Sequence, residues 1–90
     1  MHYVYVLMSD TDAKRYIGYS EDLRRRIAQH QAGMSRSTRH RRPLRLIYYE
    51  ACLSPVDAHR RERYLKTTGG RRFLAKRLRH YLAFGKIITL

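Results

Sequence analysis

The feature that most constrains the fold is a short run near the start of the chain, residues 2–8, that is apolar on both faces of a β-strand. Alternate positions put one apolar set on each side, with Tyr3, Tyr5 and Leu7 on one face and Val4, Val6 and Met8 on the other. Such a strand must be covered on both sides. We therefore expect it to be the central or well-covered strand of a sheet.

Two further strands are predicted. Residues 9–13 have turn composition, so residues 14–19 should return as the second strand of an antiparallel hairpin. Residues 34–43 are strongly basic and have no periodicity, which indicates a solvated loop, and residues 44–51 then form the third strand.

Three helices are predicted between and after these strands. Ser20 is a suitable N-cap for the first helix, with Glu21 and Asp22 in its first turn, and Gly33 stops it. The second begins at Ser54-Pro55 and runs to about Lys66. The order ββαβαα indicates an α+β fold.

The third helix follows a break at Gly69-Gly70 and ends near Gly85. Its apolar stripe consists of Leu74, Leu78, Tyr81 and Leu82. The tail at residues 86–90 is compatible with an edge strand or with a segment docked on the core.

The charge indicates the class of partner. The chain has 90 residues, with 20 Lys and Arg against 7 Asp and Glu and a net charge of +13. This length suits one domain spanning residues 1–90. Most of the cations are arginines, whose planar fork matches phosphate, so nucleic acid is the leading partner and a membrane surface the weaker alternative.

The sequence also points to a compartment. Cys52 is the single cysteine, which excludes an intrachain disulfide and a cysteine-pair zinc site. The start of the chain lacks the features of a signal peptide, and no apolar run approaches membrane-spanning length. We therefore expect a cytoplasmic protein.

Two helices carry candidate catalytic residues. Arg26 and His30 are one turn apart beside the buried stripe of the first helix, although a basic helix with an incidental histidine would show the same spacing. In the second helix, Glu62 lies within roughly 60° of Ala58 and Leu65, which should face the core. A carboxylate at such a position needs a partner or a metal, and a salt bridge to Arg61 or another arginine is the simpler alternative.

Two tyrosines complete the candidate set. Tyr5 and Tyr16 lie on adjacent strands, and Gly18 leaves space beside Tyr16 that a ligand or another backbone could approach. Ordinary aromatic packing is the alternative. Together, two phenols, an arginine, a histidine and an inward carboxylate are compatible with phosphodiester hydrolysis, which requires a metal ligand, a charge clamp and an acid or base.

These residues occur in an order that resembles the GIY-YIG nuclease family, in particular its small stand-alone bacterial members. The likeness extends from about residue 3 to about residue 79. It is carried by residues 3–7 (YVYVL), 15–18 (RYIG), 22–27 with His30, the basic loop leading into 46–50, and 58–63.

The resemblance implies a small three-stranded antiparallel sheet flanked by helices and a Mg²⁺- or Mn²⁺-dependent endonuclease, with DNA favoured over RNA. Tyr5 and Tyr16 match the family's motif tyrosines, Arg26 and His30 its helix pair, and Glu62 its metal-binding glutamate. Glu62 would hold a single ion, Arg26 would stabilise the transition state, and Tyr5, Tyr16 or His30 would activate water. Lys14 would lower a tyrosine pKa or contact phosphate.

Three departures from the family pattern bear on this interpretation. The first half-motif reads YVY rather than GIY, and the chain has no asparagine, which some family enzymes use. Larger members of the family carry a further domain that chooses the substrate, and no such domain fits within this chain. Substrate choice would therefore come from this domain or from a partner protein.

Binding without catalysis is the competing hypothesis: a basic DNA- or RNA-binding protein that keeps the scaffold. Such a protein would need the basic residues but gains nothing from an inward carboxylate that repels phosphate. The predicted nucleic-acid-binding residues are Lys14, Arg36, Arg39, Arg41, Arg42, Arg71, Arg72 and Lys76.

Overall fold

The structure, a computed structural model, describes the backbone of residues 1–88 and the side chains of residues 1–84. Three strands form one antiparallel sheet: β1 (His2–Ser9), β2 (Arg15–Ser20) and β3 (Leu44–Cys52). Their order is β2-β1-β3, so β1 is paired on both sides. The predicted central strand is therefore confirmed, as is the α+β class.

Four helices accompany the sheet: α1 (Leu23–Gln31), α2 (Pro55–Leu65), α3 (Thr68–Arg77) and α4 (Arg79–Ile88). The helix α2 has the predicted N-cap, since the Ser54 hydroxyl accepts a hydrogen bond from the Asp57 amide. Within the described part of the chain, none of these helices has the length and apolar character needed to cross a membrane.

The two faces of β1 belong to different clusters, as the alternation of its side chains predicts. Val4 and Val6 pack with Ala58, Leu65 and Leu74 of α2 and α3. On the opposite face, the buried residues Tyr5, Leu7 and Leu44 are joined by Tyr16, Leu23 and Ile27. The sheet is thus covered by α1 on one side and by α2 and α3 on the other.

The predicted start of α1 is wrong by two residues, since the predicted N-cap was Ser20 and the observed one is Asp22. The helix begins at Leu23, and its N-cap is Asp22, whose carboxylate accepts a hydrogen bond from the Arg25 amide at 3.1 Å. Ser20 is the last residue of β2, and its hydroxyl accepts from the Asp22 amide at 3.0 Å. Ser20 and Asp22 are both suitable capping residues. Because Ser20 still belongs to β2, Asp22 caps the helix.

The region after α2 also differs from the prediction. Gly69 and Gly70 lie in the first turn of α3 rather than in a break. A Cβ at Gly70 would collide with the backbone of Tyr64 and Leu65. The glycine therefore permits close packing of α3 against the end of α2.

The predicted third helix is two helices, α3 and α4, separated at Leu78. No glycine or proline stands near Leu78, so the usual stop signals are missing from the sequence. Since α4 continues to Ile88, an edge strand is wrong for residues 86–88, and the last two residues of the predicted tail lie outside the described ones.

The basic loop at residues 34–43 is more ordered than predicted. It contains a 3₁₀ turn, Arg39–Arg41, and it buries Ser35 and Thr38. The Ser9 hydroxyl donates a hydrogen bond to the Arg41 carbonyl at 2.6 Å, which ties the loop to the end of β1. The solvated-loop prediction is therefore wrong for these two buried residues.

Candidate active site

The predicted candidates Tyr5 and His30 meet in the cluster between β1 and α1. The Tyr5 phenol oxygen lies 2.7 Å from His30 Nε2, and both side chains are buried. The second ring nitrogen, His30 Nδ1, lies 2.7 Å from the Thr38 hydroxyl. The histidine is therefore held at both nitrogens, by the central strand on one side and by the basic loop on the other.

Tyr16 joins the same aromatic cluster from β2. Its ring centroid lies 5.2 Å from that of His30 and 6.3 Å from that of Tyr5. Gly18 pairs directly with Tyr5 across the two strands, and a Cβ at this position would collide with the Tyr5 ring. The space predicted beside Tyr16 is thus occupied by the Tyr5 side chain, not left open for a ligand.

Arg26 lies beside this cluster, half-buried on α1, and its Nη1 donates a hydrogen bond to the Gln29 amide oxygen at 3.1 Å. Burial and the nearby Arg26 charge lower the pKa of His30 to about 4, so the imidazole is neutral at physiological pH. Burial also raises the pKa of Tyr5, and Arg26 partly offsets this effect.

Glu62 approaches from the opposite face of the sheet, at the rim of α2. Its carboxylate pairs with Lys66 at 3.1 Å and with His59 at 3.4 Å. The His59 ring stacks on Tyr19 of β2, with centroids 3.9 Å apart. The alternative of a salt bridge from Glu62 to Arg61 is wrong, because Arg61 pairs with Glu50 instead.

Glu62 and Tyr5 nevertheless share one electrostatic environment. The carboxylate is among the groups that raise the pKa of Tyr5, after burial as the main cause. The Tyr5 ring lies over Gly18 of the edge strand β2, and Glu62 comes from the helix on the other side of that strand. Tyr5 and Glu62 therefore lie on opposite faces of the sheet, next to the edge strand β2.

The chemistry of Glu62 fits a hard divalent cation. Carboxylate oxygens suit Mg²⁺ or Mn²⁺, and Mg²⁺ commonly binds one or two carboxylates while it keeps several waters. Among the side chains of the described residues, no group of three or more His, Cys, Asp and Glu is arranged to hold a metal ion. An ion that takes most of its ligands from water and phosphate matches this donor set.

Three of the predicted nucleic-acid-binding residues line one groove. Lys14, Arg41 and Arg71 surround a space of about 670 Å³ that reaches Tyr16 and has Leu65 and Leu74 in its wall. The same groove is lined by Arg15 and Lys66, which the sequence analysis did not select. Arg41 is already paired with Asp12 at 3.3 Å, so its charge is partly compensated.

The other predicted nucleic-acid-binding residues are more dispersed. Arg39 and Arg42 border a shallower depression near the end of α1, where Arg42 donates to the backbone carbonyl of Arg39 at 3.1 Å. The remaining three are exposed, on the basic loop and on α3: Arg36, Arg72 and Lys76.

With this geometry established, the comparison with known proteins decides the family. A sequence model of the GIY-YIG catalytic domain matches residues 1–79. The chain belongs to the GIY-YIG family. This is a family of nucleases, so membership implies nucleic acid as the class of substrate.

Relatives of the chain within the GIY-YIG family are found in bacteria and archaea. A UPF0213 protein of Staphylococcus haemolyticus is 42% identical over 67 residues, which cover 73% of this chain and 80% of the relative. A UPF0213 protein of Halobacterium salinarum is 42% identical over 67 residues, covering 73% and 86%. No solved structure matches the chain significantly.

Sequence reasoning missed several residues that contact the GIY-YIG candidates, namely Thr38, Gln29, His59 and Lys66. Three of them had a detectable signal, because Gln29 follows Arg26 by three positions and His59 and Lys66 flank Glu62 at helical spacing. Thr38 had none, since it lies in a loop without periodicity.

Proposed function

We propose that this GIY-YIG protein is a metal-dependent endonuclease that hydrolyses phosphodiester bonds, with DNA preferred over RNA. The observation that carries the proposal is the buried hydrogen bond between Tyr5 and His30, with Arg26 beside it. A buried imidazole bonded to a phenol serves acid–base chemistry and adds nothing to the binding of phosphates.

The proposed roles follow from position. Arg26 grips a non-bridging oxygen of the scissile phosphate and stabilises the charge that develops there. Tyr5, Tyr16 and His30 orient the attacking water and accept its proton. Lys14 and the other groove cations hold the neighbouring phosphates of the strand, which orients the scissile bond.

Glu62 is the proposed protein ligand of a single Mg²⁺ or Mn²⁺. A bound ion would supply charge neutralisation at the phosphate. Before an ion binds, Lys66 and His59 hold the carboxylate at the rim of α2.

A catalytically inactive binding protein is the second candidate function, and one observation favours it. The charge of +13 and the groove are sufficient for binding a polyanion without any reaction. Under either proposal, a partner protein could supply the choice of substrate.

The test is cleavage of a panel of single-stranded, duplex and branched DNA and RNA, with Mg²⁺, with Mn²⁺ and with EDTA. The Glu62→Gln variant removes the anionic ligand while it keeps the shape of the side chain, and Arg26→Ala removes the clamp. We expect metal-dependent cleavage that falls by a factor of about 100 or more in both variants.

Glu21→Gln is the matched control, because it removes one exposed carboxylate that lies near His2 rather than on α2. It should leave cleavage unchanged. Salt-sensitive binding without cleavage of any panel member would overturn the nuclease proposal and support the binding protein. Cleavage of RNA but not DNA would contradict the substrate preference alone.

A further inference from the structure

Thr38 is one of two buried hydroxyl-bearing residues in the basic loop, together with Ser35. It is completely shielded from solvent, and its Oγ1 lies 2.7 Å from His30 Nδ1. The flanking residues Ser37 and Arg39 are exposed. The backbone therefore turns this one side chain inward, onto the histidine that also contacts Tyr5.

The position of the phenol proton follows from the contacts of Tyr5. The phenol is only 1% exposed, so its proton needs an acceptor within the protein. Arg26 has only donor groups and cannot accept it. Among the described residues, the acceptor within hydrogen-bond distance of the phenol oxygen is His30 Nε2, at 2.7 Å. Tyr5 thus donates to Nε2.

The position of the imidazole proton follows in turn. A neutral imidazole carries one proton, and a nitrogen that accepts a hydrogen bond does not carry it. With Nε2 accepting from Tyr5, the proton lies on Nδ1, which faces the Thr38 hydroxyl. The Thr38 oxygen therefore accepts a hydrogen bond from Nδ1.

We propose that Thr38 is a positioning residue that holds His30 in its Nδ1–H tautomer, so that Nε2 can receive the proton of Tyr5 during hydrolysis. Loss of the Thr38 oxygen would leave Nδ1–H without its buried acceptor. The tautomer with the proton on Nε2 would then compete, and it cannot accept a proton from the phenol.

The proton transfers balance within the proposed hydrolysis, on which this inference rests. The attacking water gives a proton to the Tyr5 oxygen as the phenol proton moves to His30 Nε2. The water oxygen bonds to phosphorus, the ester P–O bond breaks, and the leaving oxygen takes a proton from solvent. His30 later returns its proton to solvent. The negative charge of a bound phosphate would favour the imidazolium form of His30, which burial and the Arg26 charge disfavour.

The first test measures the tautomer without any substrate. Nitrogen-15 NMR of the histidine rings at neutral pH, with His30 assigned by comparison with His30→Gln, distinguishes the two tautomers. We expect the Nδ1–H form in the unaltered protein and in Thr38→Ser. Thr38→Val, which keeps the shape but has no acceptor, should show a mixture or the Nε2–H form.

The second test is kinetic. Thr38→Val should lower kcat by about 10- to 100-fold with little change in KM. Thr38→Ser should recover most of the rate. Thr68→Val, a control at an exposed threonine, should have no effect. If Thr38→Val fails to fold, the tautomer of the unaltered protein and the rate of Thr38→Ser still test the role of Thr38.

The outcomes separate this inference from the proposed function. An Nε2–H tautomer in the unaltered protein, or a tautomer unchanged in Thr38→Val, would overturn the role of Thr38 even if the protein cleaves nucleic acid. Absence of cleavage throughout the substrate panel would overturn the proposed function, whereas the NMR result would stand independently.

Discussion

Tyr5 is the residue that joins the two sides of the candidate site. Its phenol bonds to His30 on α1, its ring lies over Gly18 on β2, and its pKa responds to Glu62 on α2. Because the buried Tyr5 side chain contacts both His30 and Gly18, small changes around it should affect packing and chemistry together.

The first residue-scale prediction concerns Gly18→Ala. The added methyl group collides with the Tyr5 ring, so the free energy of unfolding should fall by about 1–3 kcal/mol and nucleic-acid cleavage should decrease. Urea denaturation measures the first effect. Gly69→Ala is the control, because its Cβ would meet no atom closer than 3.7 Å and should be neutral or slightly stabilising.

The second residue-scale prediction concerns pH. The pKa of His30 is about 4 in the folded protein against an ordinary value of 6.5, so the unfolded chain binds more protons between these values. The free energy of unfolding should therefore fall as pH is lowered from about 6.5 to about 4, by up to about 3 kcal/mol from this residue.

Urea denaturation across this pH range, compared between the unaltered protein and His30→Gln, isolates the effect. The difference in unfolding free energy between the two proteins should shrink toward acidic pH as the burial of His30 becomes unfavourable. A difference that stays constant between pH 4 and 6.5 would contradict the low pKa of His30.

At the scale of elements, α2 is fixed to β3 and α3 by Arg61. The guanidinium donates two hydrogen bonds to Glu50 on β3, at 2.9 and 3.0 Å, and its carbon lies 4.5 Å from the centre of the Phe73 ring on α3. This contact helps to set the position of α2 on the sheet. It therefore also helps to set the position of Glu62, the next residue.

The element-scale prediction follows from this arrangement. Arg61→Ala should lower the free energy of unfolding by about 1–2 kcal/mol, a modest value because both partners are partly exposed. Arg60→Ala removes the same charge from an exposed position and should change stability by less than about 0.5 kcal/mol. Equal effects of the two substitutions would show that the contacts of Arg61 do not fix α2.

At the scale of the whole molecule, the excess positive charge is distributed over the surface, but several basic side chains line one groove beside Tyr16. Lys14 and Arg71 come from the β1–β2 turn and from α3, far apart in sequence, and face the same space. A nucleic-acid strand in this groove would lead directly to the candidate site.

The whole-molecule prediction concerns the salt dependence of nucleic-acid binding. The double variant Lys14→Ala with Arg71→Ala should reduce the slope of log K against log salt concentration by about 1.4 for a single-stranded probe and about 1.8 for a duplex probe. Titration of a fluorescent oligonucleotide measures this slope. Replacing Arg24 and Arg25, both exposed on α1, removes the same total charge and should reduce it less.

Local patterns were sufficient where one element decides the outcome. The alternation in β1 predicts a strand covered on both faces, and Ser54-Pro55 predicts the start of α2. They failed at Leu78, where no breaker residue marks the end of α3, and at Gly70, where the glycine permits close packing instead of ending a helix. At Gly70, the close contact of α3 with the end of α2 overrides the local signal.

The sequence by itself determined the fold class, the central strand, the family and the candidates Tyr5, Tyr16, Arg26, His30 and Glu62, because residue types and their spacing encode these features. Only the tertiary structure decided that Tyr5 bonds to His30, that Thr38 holds the other ring nitrogen, and that Lys66 and His59 pair with Glu62. The Tyr5–His30 contact joins residues distant in the chain, and Thr38 reaches His30 through the fold of an aperiodic loop. Hydrogen bonds and ion pairs act over a few ångströms, so their partners are set by how the chain folds back on itself.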